Sequence, residues 1–97
     1  MEYRCFGSDC VIRIQKGEEI LAALRQVCTQ ENIVLASVNG IGAVNDVTLG
    51  VFNSKKFVYE STRYTGDMEI VSCMGNVTQK DREVYLHLHM AVANDTK

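Results

Sequence analysis

Two histidines, His87 and His89, are the residues of this chain best suited to chemistry near neutral pH. Imidazole titrates in that range and is the commonest nitrogen ligand of protein-bound metals. Both lie in Tyr85-Leu86-His87-Leu88-His89-Met90, where polar or aromatic residues alternate with apolar ones. In an extended strand successive side chains leave opposite faces, so the two imidazoles share one face and Leu86, Leu88 and Met90 the other. Their Cα atoms then stand roughly 6.5–7 Å apart. From there both rings can converge on one zinc ion, which accepts neutral imidazole nitrogen at about 2.0–2.1 Å. A catalytic zinc needs three protein ligands and a water, and the sequence has no other histidine. A third ligand would be a carboxylate such as Glu69, a thiol such as Cys73, or a residue of another subunit. The alternative is a pair of hydrogen-bonded sheet histidines, because His-x-His is short and recurs by chance.

Glu69 sits in Gly66-Asp67-Met68-Glu69-Ile70-Val71-Ser72, a largely apolar run. A carboxylate there is either paired or turned to solvent, since burying it alone is costly. Asn39-Gly40-Ile41-Gly42-Ala43 places Gly40 and Gly42 where positive φ is convenient, as a turn or bulge or as a nest of backbone amides for an anion. It is not a dinucleotide fingerprint: position 45 is Asn, and the following Val47-Thr48-Leu49 has the character of a strand, not a helix. No serine or cysteine stands in a context that marks it as an activated nucleophile, so an enzymatic role rests on the histidine pair alone.

The four cysteines, Cys5, Cys10, Cys28 and Cys73, form no CxxC pair. Together with a start, Met1-Glu2-Tyr3-Arg4, that lacks the apolar core of a signal peptide, this predicts free thiols in a cytoplasmic protein. Cys28 and Cys73 fall at apolar positions and act as small hydrophobes. The spacing of Cys5 and Cys10 is at the limit for a zinc pair.

The elements that must position these residues follow from periodicity. Over residues 17–31, Ile20, Leu21, Leu24, Val27 and Cys28 recur on one helical face. Gly17 is a tolerable N-cap, Glu18 and Glu19 suit the positive end of the dipole, and Asn32 suits a left-handed stop. Branched and aromatic residues predict strands over 11–14, 33–38, 47–52, 57–62, 68–74 and 84–93. Gly50 within the third run marks a bulge or a close backbone approach. Asn53-Ser54-Lys55-Lys56 suits a hairpin turn and Thr65-Gly66-Asp67 the next connection. One helix with consecutive hairpin-like strands gives an α+β fold with a largely antiparallel sheet.

At 97 residues the chain is one domain, and a domain of this size gains from a partner subunit or a metal. Its net charge is −2 and its ten Lys and Arg residues are dispersed, with only Lys55-Lys56 adjacent. Duplex binding depends on clustered cations, so direct DNA binding is doubtful from charge. No stretch approaches the length of an apolar membrane span, and no membrane association is expected.

Six segments, in order, resemble the PPC domain, the plant-and-prokaryote conserved domain: Lys16-Gly17-Glu18-Glu19-Ile20, Val38-Asn39-Gly40-Ile41-Gly42-Ala43-Val44, Val47-Thr48-Leu49-Gly50-Val51-Phe52, Gly66-Asp67-Met68-Glu69-Ile70, Gly75-Asn76-Val77 and Leu86-His87-Leu88-His89. The resemblance implies an α+β domain that assembles as a homotrimer in its prokaryotic members, and a fold similar to acetolactate decarboxylase, a zinc enzyme. The family is often labelled DNA-binding, but the Arg-Gly-Arg-Pro AT-hook of its plant members is absent from a chain with no proline. Many prokaryotic members continue to a Gly-Gly-His segment whose histidine would join the pair at a metal. This chain stops at Asn94-Asp95-Thr96-Lys97 and so resembles a domain missing its final strand. The implied function is an oligomeric binding or assembly module, with the sheet, Gly40 and Gly42 contributing to subunit contacts. The alternative is a zinc-dependent small-molecule enzyme using His87, His89 and Glu69, with an unknown ligand.

Overall fold

The computed structural model describes residues 1–96. In chain order the elements are β1 (Glu2–Phe6), β2 (Asp9–Arg13), α1 (Ile20–Gln30), β3 (Ala36–Asn53), β4 (Val58–Lys80) and β5 (Glu83–Ala93). β1 and β2 pair antiparallel, and β3, β4 and β5 form a three-stranded sheet in that order. The expected α+β class is the observed one. The chain divides into two compact units, Met1–Ser37 with Asn76–His87, and Val38–Gly75 with the chain from Leu88 onward.

The first unit is built around α1. Its buried residues, Ala23, Leu24, Val27 and Cys28, keep the helical period read from the sequence. With Val77 of β4, as buried as Val27 at 1% exposure, they make up the apolar interior of this unit. The cap lies two residues beyond the expected Gly17: the carboxylate of Glu19 accepts from the backbone N–H groups of Leu21 and Ala22. A side-chain oxygen satisfies amides at a helix start, which glycine cannot do. Gly17 instead takes φ +92° in the preceding turn, where Glu18 N–H donates to Gln15 O at 3.0 Å. At the other end Asn32 adopts φ 54°, and Ile33 N–H reaches back to Cys28 O at 2.9 Å. This is the left-handed stop expected of Asn32, in its Schellman form. The Tyr3 hydroxyl donates to Glu31 at 2.9 Å and Gln30 at 3.0 Å, tying β1 to the end of α1.

β1 is a strand that the sequence reading missed. Gly7 at φ +61° and Ser8 turn the chain so that Cys5 stands directly opposite Cys10. The two are joined by a disulfide, their Cα atoms 4.0 Å apart. The expectation of four free thiols is therefore corrected: close cross-strand register brings these two sulfurs within bonding reach. Only Cys28 and Cys73 are free thiols, both buried as expected.

In the second unit, two predicted breaks are absent. Residues 39–46 and 65–67 were expected to connect strands, yet β3 and β4 run through them. Gly42 at φ +138° and Gly66 at φ +108° absorb the irregularity within each strand. The expected hairpin at Asn53 is present: its side-chain oxygen accepts from the N–H groups of Lys55 and Lys56 at 3.0 and 3.1 Å, an Asx turn. Across the same hairpin, Arg63 holds Asp46 through two bonds of 2.8 and 2.6 Å. Gly50 accommodates a side chain rather than a second backbone. A Cβ there would fall on the ring of Tyr59, within 2.7 Å of Cζ.

Candidate functional site

Exposure alternates residue by residue along β5: Tyr85, His87, His89 and Ala91 are exposed, while Val84, Leu86, Leu88 and Met90 are half-buried. The expected alternation is therefore present, and the two imidazoles occupy like positions on this strand. Glu69 is exposed, between buried Met68 and half-buried Ile70. Among the described residues, His, Cys, Asp and Glu side chains form no group of three able to hold a metal ion. Two imidazoles do not complete a zinc shell, so the described residues of this chain by themselves do not fit the metal. Cys73, the other ligand considered, is buried, and burial pushes its thiol pKa up, away from the thiolate a metal prefers. Cys28 is raised for the same reason, although the positive charge of Arg25 pulls the other way.

Gly40 is half-buried, and a Cβ there would lie 3.9 Å from Cβ of Cys73. Gly40 and Cys73 are thus brought together by packing. Gly42 meets nothing within 4 Å and is required by its positive φ. Between them Ile41 is 92% exposed, the largest exposure of any large apolar side chain described. Val51, Phe52, Phe57, Tyr59 and Val71 of the same unit are also exposed. The sequence reading expected the 40–44 segment at subunit contacts but not the outward placement of Ile41, because a branched apolar residue in a strand ordinarily signals burial.

Electrostatics outside β5 are local. The Arg63 guanidinium beside Asp46 holds its carboxyl below the usual range, and the guanidinium is raised in turn. Tyr3 is raised because its hydroxyl donates to the Glu31 carboxylate. No helix among the described residues is long and apolar enough to cross a membrane. The free-thiol argument for a reducing compartment now rests on Cys28 and Cys73 only.

An α+β chain with one helix and long antiparallel hairpins defines the structural class. Within it, the Plants and Prokaryotes Conserved (PCC) domain matches residues 1–97, and the chain belongs to that family, the PPC domain. Similar solved structures agree. A candidate DNA-binding protein from Bacteroides thetaiotaomicron superposes with a TM-score of 0.93 at 35% identity, over 98% of this chain and 66% of its own. A PPC protein from Pyrococcus horikoshii gives 0.83 at 34% identity, over 88% and 59%. A metal-containing protein from Archaeoglobus fulgidus gives 0.84 at 26% identity, over 89% and 61%. The chain spans less than two thirds of the length of each of these three. No curated protein matches it.

Proposed function

We propose that this chain is an oligomeric binding and assembly module of the PPC type, a homotrimer whose subunit contacts include the 40–44 segment of β3. The observation that carries the reading is Ile41, almost fully exposed between Gly40 and Gly42. Soluble monomers seldom expose contiguous apolar patches, and such patches mark association sites. Val51, Phe57 and Val71 are further exposed apolar side chains of the same unit. Burying one such side chain is worth about 1.5–3 kcal/mol, enough for several together to offset the cost of association. Size-exclusion chromatography with light scattering tests this: a trimer is expected, and a clean monomer at tens of micromolar would overturn it.

A second reading, metal association, is favoured by the like placement of His87 and His89 on β5 and by the metal-containing neighbour from Archaeoglobus fulgidus. It requires a third ligand from another copy or from outside the described residues. Elemental analysis tests it: zinc well below one equivalent per chain, and unchanged in His87→Ala, would remove the option. Direct duplex binding has little support from a net charge of −2 with dispersed cations.

A further inference from the structure

The first unit holds an open groove of about 500 Å³ where the end of α1 meets the β4–β5 hairpin. This is within the size range of small-ligand sites, roughly 300–1,000 Å³. Arg25, Arg82 and Glu83 are its charged lining residues, a surplus of one positive charge. The helix end reaches the groove at Thr29 and Asn32, and contributes about half a negative charge. That balance remains positive and suits an anion. Ile33, Val34 and Val84 supply an apolar wall, and the amides of Asn32 and Gln79 add donors.

The two arginines are placed by different means. Arg25 Nη1 donates to Val84 O at 2.9 Å, which fixes the fork while leaving its remaining N–H groups for a ligand. Arg82 is held by the backbone: Asp81 at φ 53° and Arg82 at φ 68° form the two-residue turn between Lys80 and Glu83. Both central residues have positive φ, the type I′ geometry that Asn-Gly satisfies without strain. An arginine in this conformation costs roughly 1–2 kcal/mol. Arg82 has no hydrogen-bond or ion-pair partner among the described residues that would offset it.

We infer that this groove binds a small organic monocarboxylate, its carboxylate between Arg25 and Arg82 and its aliphatic part against Ile33, Val34 and Val84. Guanidinium is the side chain suited to planar, bidentate recognition of a carboxylate. This site is independent of the histidine pair and of any subunit contact proposed for the second unit.

The test is an NMR titration of the full ¹⁵N-labelled chain with sodium hexanoate. The arginine Nε–Hε signals and the Asn32 and Gln79 side-chain amides are followed, with sodium chloride and sodium phosphate as parallel arms. Hexanoate should give saturable shifts that matched chloride does not. Phosphate should bind more weakly. Arg82→Gly relieves the left-handed strain, so it should fold at least as well as the parent while binding hexanoate about tenfold more weakly, the loss of one charge-assisted hydrogen bond. Shifts that do not saturate, that chloride reproduces, or that persist at equal affinity in a folded Arg82→Gly would overturn the site. Tighter binding of phosphate than of hexanoate would overturn the carboxylate assignment.

Discussion

The two units of this chain bury apolar residues to different extents. In the first, α1 turns Ala23, Leu24, Val27 and Cys28 inward, and with Val77 they form an interior for the unit. Among the described residues of the second, Met68 and Cys73 alone are buried, while Ile41, Val51, Phe57, Tyr59 and Val71 are exposed. A helix buries one apolar stripe along its length, whereas a sheet presents two faces, of which at least one needs something packed against it. The contrast is one of degree: both units expose large apolar side chains, Leu35 at 76% in the first and Ile41 at 92% in the second, but the first has the larger buried cluster.

Substitution should separate the units sharply. Leu24→Ala in the first unit leaves a cavity and should cost about 2–5 kcal/mol in chemical denaturation. Ile41→Ala, measured where the chain is monomeric, should stay within about 0.5 kcal/mol, as for ordinary surface positions. Comparable losses at the two sites would break the contrast.

The next effect is covalent and belongs to the first unit. Cys5 and Cys10 close a short loop, and in the chain-entropy account removing such a link costs about 2 kcal/mol. Cys5→Ser with Cys10→Ser should therefore lower the denaturation midpoint, and reducing the parent protein with dithiothreitol should do the same. Reduction that leaves the midpoint unchanged would show that the bridge does not support the hairpin.

The smallest expected effect lies in the second unit. Asp46 is held below its ordinary value, 3.8, by Arg63. Because the folded pKa is the lower one, the contribution of this pair is complete above about pH 4 and is lost as pH falls through the folded value. Both side chains are exposed, so screening makes the effect slight and salt-sensitive. Asp46→Asn should flatten only this acid limb of the stability profile. An equal change at pH 7 and at pH 3 would mean that the pairing is not electrostatic.

Much of this architecture was legible where the signal is local. The helix followed from the spacing of Leu24, Val27 and Cys28, its stop from Asn32, and the hairpin from Asn53, because each of those residues acts on neighbours a few positions away. The disulfide was not read, although Gly7-Ser8 between Phe6 and Asp9 is a two-residue turn that would have paired Cys5 with Cys10. Gly42 was read as part of a turn or bulge and Gly66 as part of a connection, because positive φ serves a turn and an irregular strand equally well. At the candidate site, the alternation of His87 and His89 was visible in the sequence, but a third ligand depends on contacts between distant segments or copies, which spacing does not encode. The outward Ile41 was hidden for a related reason: an apolar strand residue that faces out is of the same type as one that faces a core.

Light scattering of the parent chain beside Ile41→Asp tests the account most directly. The parent should elute as a trimer, and the aspartate, which would place an unpaired charge in the contact, should give a folded monomer. A parent that is already monomeric at tens of micromolar, or a variant that stays trimeric, would contradict it.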